Sequence, residues 1–364
     1  MPVPQSHNAS VLVDDHPDRP WFEPGIYAVA PGIFRVPLPL TEHDALKAVN
    51  VYIIREADRV TLIDSGQSLV YARELLDAAL GALGTQVSEI DEFLVTHYHR
   101  DHYTMAVAIR REFGRSVSLG YGEHGSLAYH RAEGHLSGGL QPQMDILALC
   151  GADHLLKAFD RGEHRAEGYG LGDALPTDTW EEPDRWLSDG MVLPLSSRHL
   201  EAVSTPGHTQ GHMVFYDVKN GLLFSGDHVL PHITPSIGFE GHPTPLPLRD
   251  YIGSLRKVRS RPDARMLPAH GPVCPSVHVR VDELIAHHDH RLDVVQGLVD
   301  DGHDTAYAIA GRMTWTRKER TLDELDLVNS MMAILETKAH LDVLVDRGTT
   351  LSSVDGEILR YVSA

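Results

Sequence analysis

The segment THYHRDH, which begins at Thr96, is the feature that most limits how this chain of 364 residues can fold. It follows the apolar run EFLV and contains three histidines and one aspartate: His97, His99, Asp101 and His102. Imidazole nitrogens and carboxylate oxygens are the ligands that Zn²⁺ and related divalent ions prefer. The alternative is an exposed polar loop whose histidines are only solvated. The pattern favours a metal site in a loop after a buried strand, with a helix that begins at about Thr104.

Three further segments place a potential ligand at the end of a strand-like run. TPGHTQGH contains His208, SGDH contains Asp227, and PAHG contains His270. A fourth run, TLIDSG, ends in the same way at Asp64. This recurrence strengthens the hypothesis of a metal site.

These motifs, taken in order, resemble those of the metallo-β-lactamase superfamily from about Gly25 to Gly271. The resemblance implies an α/β fold, layered as an αββα sandwich with metals in a cleft at one edge. It also implies two divalent metal ions per chain, with zinc as the expected ion and manganese or iron as alternatives. By similarity, one ion is held by three histidines: His97, His99 and His208. The second ion is held by Asp101, His102 and His270, and Asp227 bridges the two ions.

The same resemblance implies a reaction. Two metals that share a water lower its pKa and supply a hydroxide nucleophile. We therefore expect a hydrolase in which a metal-bridging hydroxide attacks a carbonyl or phosphoryl centre, with Asp101 and Asp227 acting in catalysis. Asp64 resembles a buried aspartate of the family and is expected to order the site rather than to bind metal. Exported β-lactamases of this fold typically carry cysteine where Asp227 stands, so antibiotic hydrolysis is not the expected main role.

The net charge of the chain helps to distinguish the remaining candidate functions. The chain has 32 Lys and Arg against 51 Asp and Glu, a net charge of −19, which disfavours a polyanionic partner. Residues 276–364 carry 9 basic and 16 acidic side chains, or −7. The leading hypothesis is hydrolysis of an ester, thioester or lactone of a small intracellular substrate, and a metal-dependent endoribonuclease or phosphodiesterase is the alternative. A non-catalytic regulatory protein is also considered, although structural zinc sites are closed cages and three histidines leave a position open.

The sequence predicts two domains. Residues 1–275 form the metallo-β-lactamase domain, with a lid-like insertion at about 123–186, and residues 276–364 form a helical tail similar to the winged-helix tail of the β-lactamase-like protein 2 group. Three aromatic residues of the insertion are candidates for an apolar lid: Tyr169, Trp180 and Trp186. Three histidines of the first tail helix are expected to form a solvated face: His287, His288 and His290.

The sequence also predicts where the protein works. No stretch approaches the roughly 18 apolar residues that a membrane span needs, and the first residues lack the basic and apolar regions of a signal peptide. Two cysteines, Cys150 and Cys274, are too few for a disulfide framework. We expect a soluble cytoplasmic protein with a small acyl substrate, no membrane or nucleic-acid partner, and a homo-oligomer as an open possibility.

Overall fold

The computed structural model describes residues 12–14, 19–41, 44, 46–132, 140–163, 177–316 and 318–364. Within these ranges, a first mixed sheet contains eight strands in chain order: β1 (Leu12–Asp14), β2 (Ile26–Ala30), β3 (Ile33–Pro39), β4 (Ala48–Arg55), β5 (Val60–Ile63), β6 (Glu92–Leu94), β7 (Ser116–Gly120) and β8 (Arg185–Leu187). A second sheet has the order β13-β12-β11-β10-β9: β9 (Met191–Pro194), β10 (His199–Ser204), β11 (Met213–Asp217), β12 (Leu222–Gly226) and β13 (Arg265–Pro268). A C-terminal hairpin pairs two more strands: β14 (Thr350–Asp355) and β15 (Ile358–Ser363).

The helices of the described ranges separate these strands or follow them: α1 (Val70–Ala82), α2 (Arg100–Phe113), α3 (His124–Ala132), α4 (Gln141–Leu149), α5 (Asp153–Asp160), α6 (Pro247–Arg259), α7 (Val277–Asp300), α8 (Ala306–Ala310) and α9 (Leu327–Asp346). None of these helices combines the length and the apolar character that crossing a bilayer requires.

An antiparallel meander lies between Gly25 and Gly66. Strands β2, β3, β4 and β5 pair in succession, each antiparallel to the next. The sequence of β4, AVNVYIIR, is buried at every position except the last, which explains why it has no polar alternation. Beyond β5 the sheet becomes parallel through β6, β7 and β8, so the carboxyl ends of these strands lie at one edge.

Three apolar layers hold the sheets and helices together. Side chains of both sheets, such as Ile54 and Phe215, fill the space between them. On the outer face of the first sheet, α1 and α2 bury residues such as Leu76 and Ile109. On the outer face of the second sheet, α6 packs through residues such as Leu255. This order of layers confirms the predicted α/β fold and its αββα sandwich.

The tail helices α7, α8 and α9 pack on the second sheet and α6, since their buried side chains belong to the same apolar layer. Helix α7 begins where the Ser276 hydroxyl accepts a hydrogen bond from the Val279 N–H. The hairpin β14–β15 follows α9. The division at residue 275 and the winged-helix assignment stay predictions.

The expected solvated histidine face of α7 is wrong for one of its members. His288 is 1% exposed, and its Nδ1 lies 3.2 Å from His340 Nε2 on α9. His290 is exposed and His287 is half-buried. His288 lies four residues from both Leu284 and Leu292, which places it on the inner face of the helix.

The predicted insertion consists of short helices in its described part. Helices α4 and α5 are separate because Gly151 adopts a left-handed φ of 78° between them. Trp180 contacts Tyr98, and Trp186 belongs to β8 at the edge of the first sheet. Tyr169 lies outside the described residues, and the lid stays a prediction.

Candidate metal centre

The candidate ligands lie at one edge of the sandwich, where strands of both sheets end. In the first sheet, β6 leads into the THYHRDH segment. In the second sheet, β10, β12 and β13 run in the same direction. Each of these three strands leads into one candidate ligand: His208, Asp227 and His270. The predicted site residues are therefore brought together by the topology of both sheets.

Helix α2 begins at Arg100, four residues before the predicted start at about 104. Asp101 and His102 therefore lie in its first turn rather than in a loop. The His102 N–H donates to the His99 carbonyl at 2.9 Å, which closes this turn. A carboxylate in the first turn is stabilised by the partial positive charge at the helix N-terminus, a feature that the loop prediction did not consider.

A first donor group consists of three imidazoles. His97 Nε2, His99 Nδ1 and His208 Nε2 lie 3.0 to 3.3 Å apart. On the far side of the rings, His99 Nε2 donates to the Phe239 carbonyl at 3.2 Å and His208 Nδ1 to the Ser236 carbonyl at 2.6 Å. Because a carbonyl only accepts, these outer nitrogens carry the hydrogens and the inner nitrogens carry lone pairs. Burial and the neighbouring imidazoles lower the pKa of His99 to about 3, so its ring is neutral.

The orientation of His97 is fixed through Thr96. The Thr96 hydroxyl donates to Asp64 Oδ1 at 3.0 Å and lies 3.1 Å from His97 Nδ1. Since the carboxylate only accepts, the hydroxyl hydrogen is engaged there and the hydroxyl oxygen accepts from His97 Nδ1–H. The inner Nε2 of His97 is therefore also a free lone pair.

A second donor group consists of one carboxylate and two imidazoles. His270 Nε2 lies 3.3 Å from Asp101 Oδ2, and His102 Nε2 lies 3.5 Å from the same oxygen. Their outer nitrogens donate to Ala48 O at 2.7 Å and to Asp64 Oδ2 at 3.0 Å, respectively. Burial alone lowers the pKa of His102, but the Asp101 and Asp64 carboxylates outweigh it and hold this pKa well above its ordinary value.

Asp227 lies between the two groups. Its Oδ2 is 3.6 Å from His208 Nε2, whereas its Oδ1 is 3.7 Å from His102 Nε2 and 3.5 Å from His270 Nε2. The Asp227 N–H donates to His212 Nε2 at 3.1 Å. His212 thus contacts the backbone of Asp227 rather than its carboxylate.

Asp64 lies behind the centre, where it contacts His102 of the second group directly and His97 of the first group through Thr96. Its carboxylate accepts from His102 Nδ1 and also from the N–H of Thr96 at 2.8 Å. It adopts a left-handed φ of 59°, a conformation that aspartate tolerates better than most residues. This placement agrees with the expected ordering role of Asp64.

The donor atoms fit a cation. His102 Nε2, His270 Nε2 and Asp227 Oδ1 are buried without a hydrogen-bond partner, and the three inner nitrogens of the first group face one another without a hydrogen between them. Buried acceptors that lack a partner are costly, and a positive ion satisfies all of them at once. Three overlapping donor sets could each hold a metal ion, with donor atoms within 4.8 Å: His97, His99 and His208; His97, His102 and Asp227; and Asp101, His102 and His270.

Sequence reasoning missed the groups that orient the imidazoles. Thr96 had a usable signal, since it is a polar residue at a strand end directly before His97. Ser236 and Phe239 act through backbone carbonyls, which every residue has, so no sequence signal could have identified them.

The comparison with known families decides the classification. The family model described as Metallo-beta-lactamase superfamily matches residues 45–270, which is more than half of the chain. The chain belongs to the metallo-β-lactamase superfamily. The predicted membership and the predicted class, a hydrolase, are confirmed.

Two named relatives of this metallo-β-lactamase superfamily protein differ in coverage. The Bacillus subtilis protein named Probable metallo-hydrolase YqjP is 24% identical over 334 residues, which cover 90% of this chain and 96% of that protein. The Paecilomyces divaricatus protein named Atrochrysone carboxyl ACP thioesterase AgnL7 is 23% identical over 263 residues. That match covers 72% of this chain but 63% of the fungal protein, so the chain spans less than two thirds of its length.

A solved structure supports the fold assignment of this superfamily member. The crystal structure of a metallo-beta-lactamase family protein from Thermus thermophilus has a TM-score of 0.67 and 26% identity. It covers 93% of this chain and 100% of that one, so the likeness includes the tail as well as the sandwich.

Proposed function

We propose that this hydrolase cleaves an ester, thioester or lactone carbonyl of a small substrate, using two divalent metal ions, with zinc as the preferred ion. The observation that carries the proposal is the orientation of five imidazoles. Each outer nitrogen is hydrogen-bonded to a protein acceptor, so each inner nitrogen faces a space shared with two carboxylates and is the nitrogen available to a metal ion. A set of imidazoles and carboxylates with open positions is typical of catalytic zinc rather than structural zinc, and a metal ion that binds His102 must displace a proton from its ring.

The proposed ligands follow the two donor groups. The first ion is assigned to His97, His99 and His208, and the second ion to Asp101, His102 and His270. Asp227 is assigned as the bridge, which is supported by the distances of its two oxygens, one directed to each group.

Divalent ions held by these residues would supply Lewis acidity and would lower the pKa of a coordinated water. The protein's own side chains orient the reactants. Asp227 fixes the separation of the two groups through its two oxygens. Asp101 has a side chain that is 16% exposed, against 9% for Asp227, so it is the more accessible carboxylate and can accept a hydrogen bond from an attacking water. Asp64 keeps a hydrogen on the outer nitrogen of His102, which leaves the inner nitrogen available.

The substrate class rests on charge and on one relative. The net charge of −19 disfavours a polyphosphate substrate and is compatible with a small acyl compound. The fungal relative is named as a thioesterase that acts on an acyl-carrier-protein thioester, which supports a thioester among the three carbonyl classes.

The test is turnover by zinc- and manganese-loaded protein of chromogenic esters, acyl thioesters, lactones and a labelled single-stranded RNA, with metal content measured in parallel. We expect carbonyl hydrolysis that a chelator removes and added metal restores. His99→Ala should be inactive, and His199→Ala, which changes an exposed histidine on β10, should match the wild type. RNA cleavage with steeply salt-dependent binding and without carbonyl hydrolysis would replace this proposal with a nuclease.

A further inference from the structure

Two buried carboxyl groups, Glu123 and Glu240, lie outside the proposed ligand set. Glu123 is 0% exposed and Glu240 is 2% exposed. Their recorded partners in the described part of the chain are hydroxyl and backbone N–H groups, and neither forms an ion pair there with a lysine or arginine. Burial and the proximity of the other carboxyl raise the pKa of Glu123 well above its ordinary value.

Glu123 joins the two loops that carry the first donor group. Its Oε1 accepts from the Thr209 hydroxyl at 2.5 Å. The backbone N–H groups of Tyr98 and Gly211 lie close enough to the carboxyl group to lower its pKa, although burial outweighs them. Tyr98 lies between two of the histidines, and Thr209 follows the third. The loops meet at backbone distance, since a Cβ at Gly211 would lie 2.2 Å from the Glu123 nitrogen.

Glu240 belongs to a third segment beside the first donor group, residues 236–241, and connects it to the His208 loop. It follows Phe239, whose carbonyl accepts from His99 Nε2. Its Oε2 accepts from the Gln210 N–H at 3.0 Å and from the Ser126 hydroxyl at 3.3 Å. The next N–H along the chain, from Gly241, donates to the Tyr98 hydroxyl at 3.1 Å.

From this geometry we propose that Glu123 and Glu240 are positioning residues that hold the three histidines of the first donor group in register by clamping their loops and the 236–241 segment together. They act through these loops rather than by touching the metal or the substrate. The inference rests on the proposed metal site but not on the proposed reaction, because it concerns metal retention.

The matched control is Glu92, a carboxylate that is 6% exposed on the first sheet. It accepts from the Ser118 hydroxyl at 2.7 Å, from Arg59 at 2.9 Å and from Arg185, and none of these partners belongs to the loops of the donor groups. Glu92→Leu therefore measures the general effect of removing a buried carboxylate.

The experiment is a zinc titration of metal-free protein against a chromogenic chelator, with thermal unfolding of each metal-free variant. In Glu123→Leu, we expect one of two zinc ions to bind at least about tenfold more weakly and the other to be unchanged. Glu123→Gln should restore binding to within about threefold of the wild type, because its amide carbonyl keeps the acceptor. Glu92→Leu should lower the unfolding temperature without changing either affinity.

Three results would overturn the proposal: unchanged binding in Glu123→Leu, equal losses in Glu123→Leu and Glu92→Leu, or no rescue by Glu123→Gln. If Glu123→Leu does not fold, Thr209→Val removes only the donor to Glu123 Oε1 and should weaken the same ion, and unchanged binding in that variant would equally overturn it. A wild type that binds no zinc would contradict the proposed metal site itself, which is a different failure.

Discussion

The two donor groups of the centre are held in different ways. In the first group, the outer nitrogens of His99 and His208 donate to backbone carbonyls of one segment, and His97 donates to a hydroxyl. In the second group, His102 donates to the Asp64 carboxylate, and Asp101 adds a second carboxylate to the donors themselves. The first group is thus oriented by neutral dipoles, whereas the second combines the Asp64 carboxylate at His102 with the Ala48 carbonyl at His270.

This difference predicts different weaknesses. The position of a backbone carbonyl is set by the loop that carries it, so the orientation of the first group depends on how this loop packs. A carboxylate partner fixes both the orientation and the protonated nitrogen of a histidine, so the second group depends on charge and hydrogen-bonding type. Variants can therefore affect one group without the other.

We expect the largest effect from changing Asp227, the residue that the two donor groups share. Asp227→Asn should lower kcat/KM by more than about a hundredfold, since losing a direct ligand exceeds the loss of an outer partner. Steady-state kinetics and metal content of the purified variant check this. The control is Asp217→Asn, which changes a fully buried aspartate at the end of β11. Asp217 binds Arg198 and Asn220, and its substitution should leave the metal content intact. Near-normal turnover in Asp227→Asn would contradict the assignment of Asp227 as the bridging ligand. It would also contradict the pairing of the two donor groups.

The buried acid behind the first group should give a pH-dependent effect. Burial raises the pKa of Glu240 from 4.5 to about 7, so the folded protein holds this proton more tightly than the unfolded chain. The wild type should lose stability as pH rises from about 4.5 to about 7, by at most about 3 kcal/mol. Glu240→Gln has no proton to lose, so its unfolding free energy should exceed that of the wild type increasingly across this window. Urea unfolding of metal-free proteins at pH 4.5 and 8 checks this, and a constant difference would contradict it.

Asp64→Asn acts mainly on the second group, since Asp64 contacts His102 directly and His97 only through Thr96. Asparagine tolerates the left-handed backbone of this position. Its NH₂ group, however, would donate towards His102 at the place where the Asp64 carboxylate oxygen accepts. His102 would then carry its hydrogen on the inner nitrogen, and the second ion should bind about 10- to 100-fold more weakly. Zinc titration should show one weakened ion. Equal weakening of both ions would mean that Asp64 supports the whole centre.

Thr96→Val is the smallest change and tests the first group. It removes the hydroxyl that accepts from His97 but keeps the Thr96 N–H, which still donates to Asp64. One ion should bind about tenfold more weakly. Thr61→Val, on β5, removes another buried hydroxyl and serves as the control. If the two variants bind zinc alike, the hydroxyl does not orient His97.

Much of this protein could be predicted from its sequence. The meander of β2 to β5 and the strands that precede each candidate ligand follow from local apolar patterns. The family follows from the order of the motifs, because metal chemistry restricts each position to a few residue types. The start of α2 was predicted too late, since the polar segment conceals that Asp101 lies in a helical turn.

The sequence by itself determined which side chains are available as ligands and in which order they follow the strands. The tertiary structure alone decided which nitrogen of each imidazole faces the centre. That choice depends on the backbone carbonyls of Ala48, Ser236 and Phe239. A backbone carbonyl that orients a histidine cannot be identified from a sequence, because every residue has one. It also decided that Glu123 and Glu240 meet in the interior, because two carboxyl groups 117 positions apart approach one another only when the loops between them are folded.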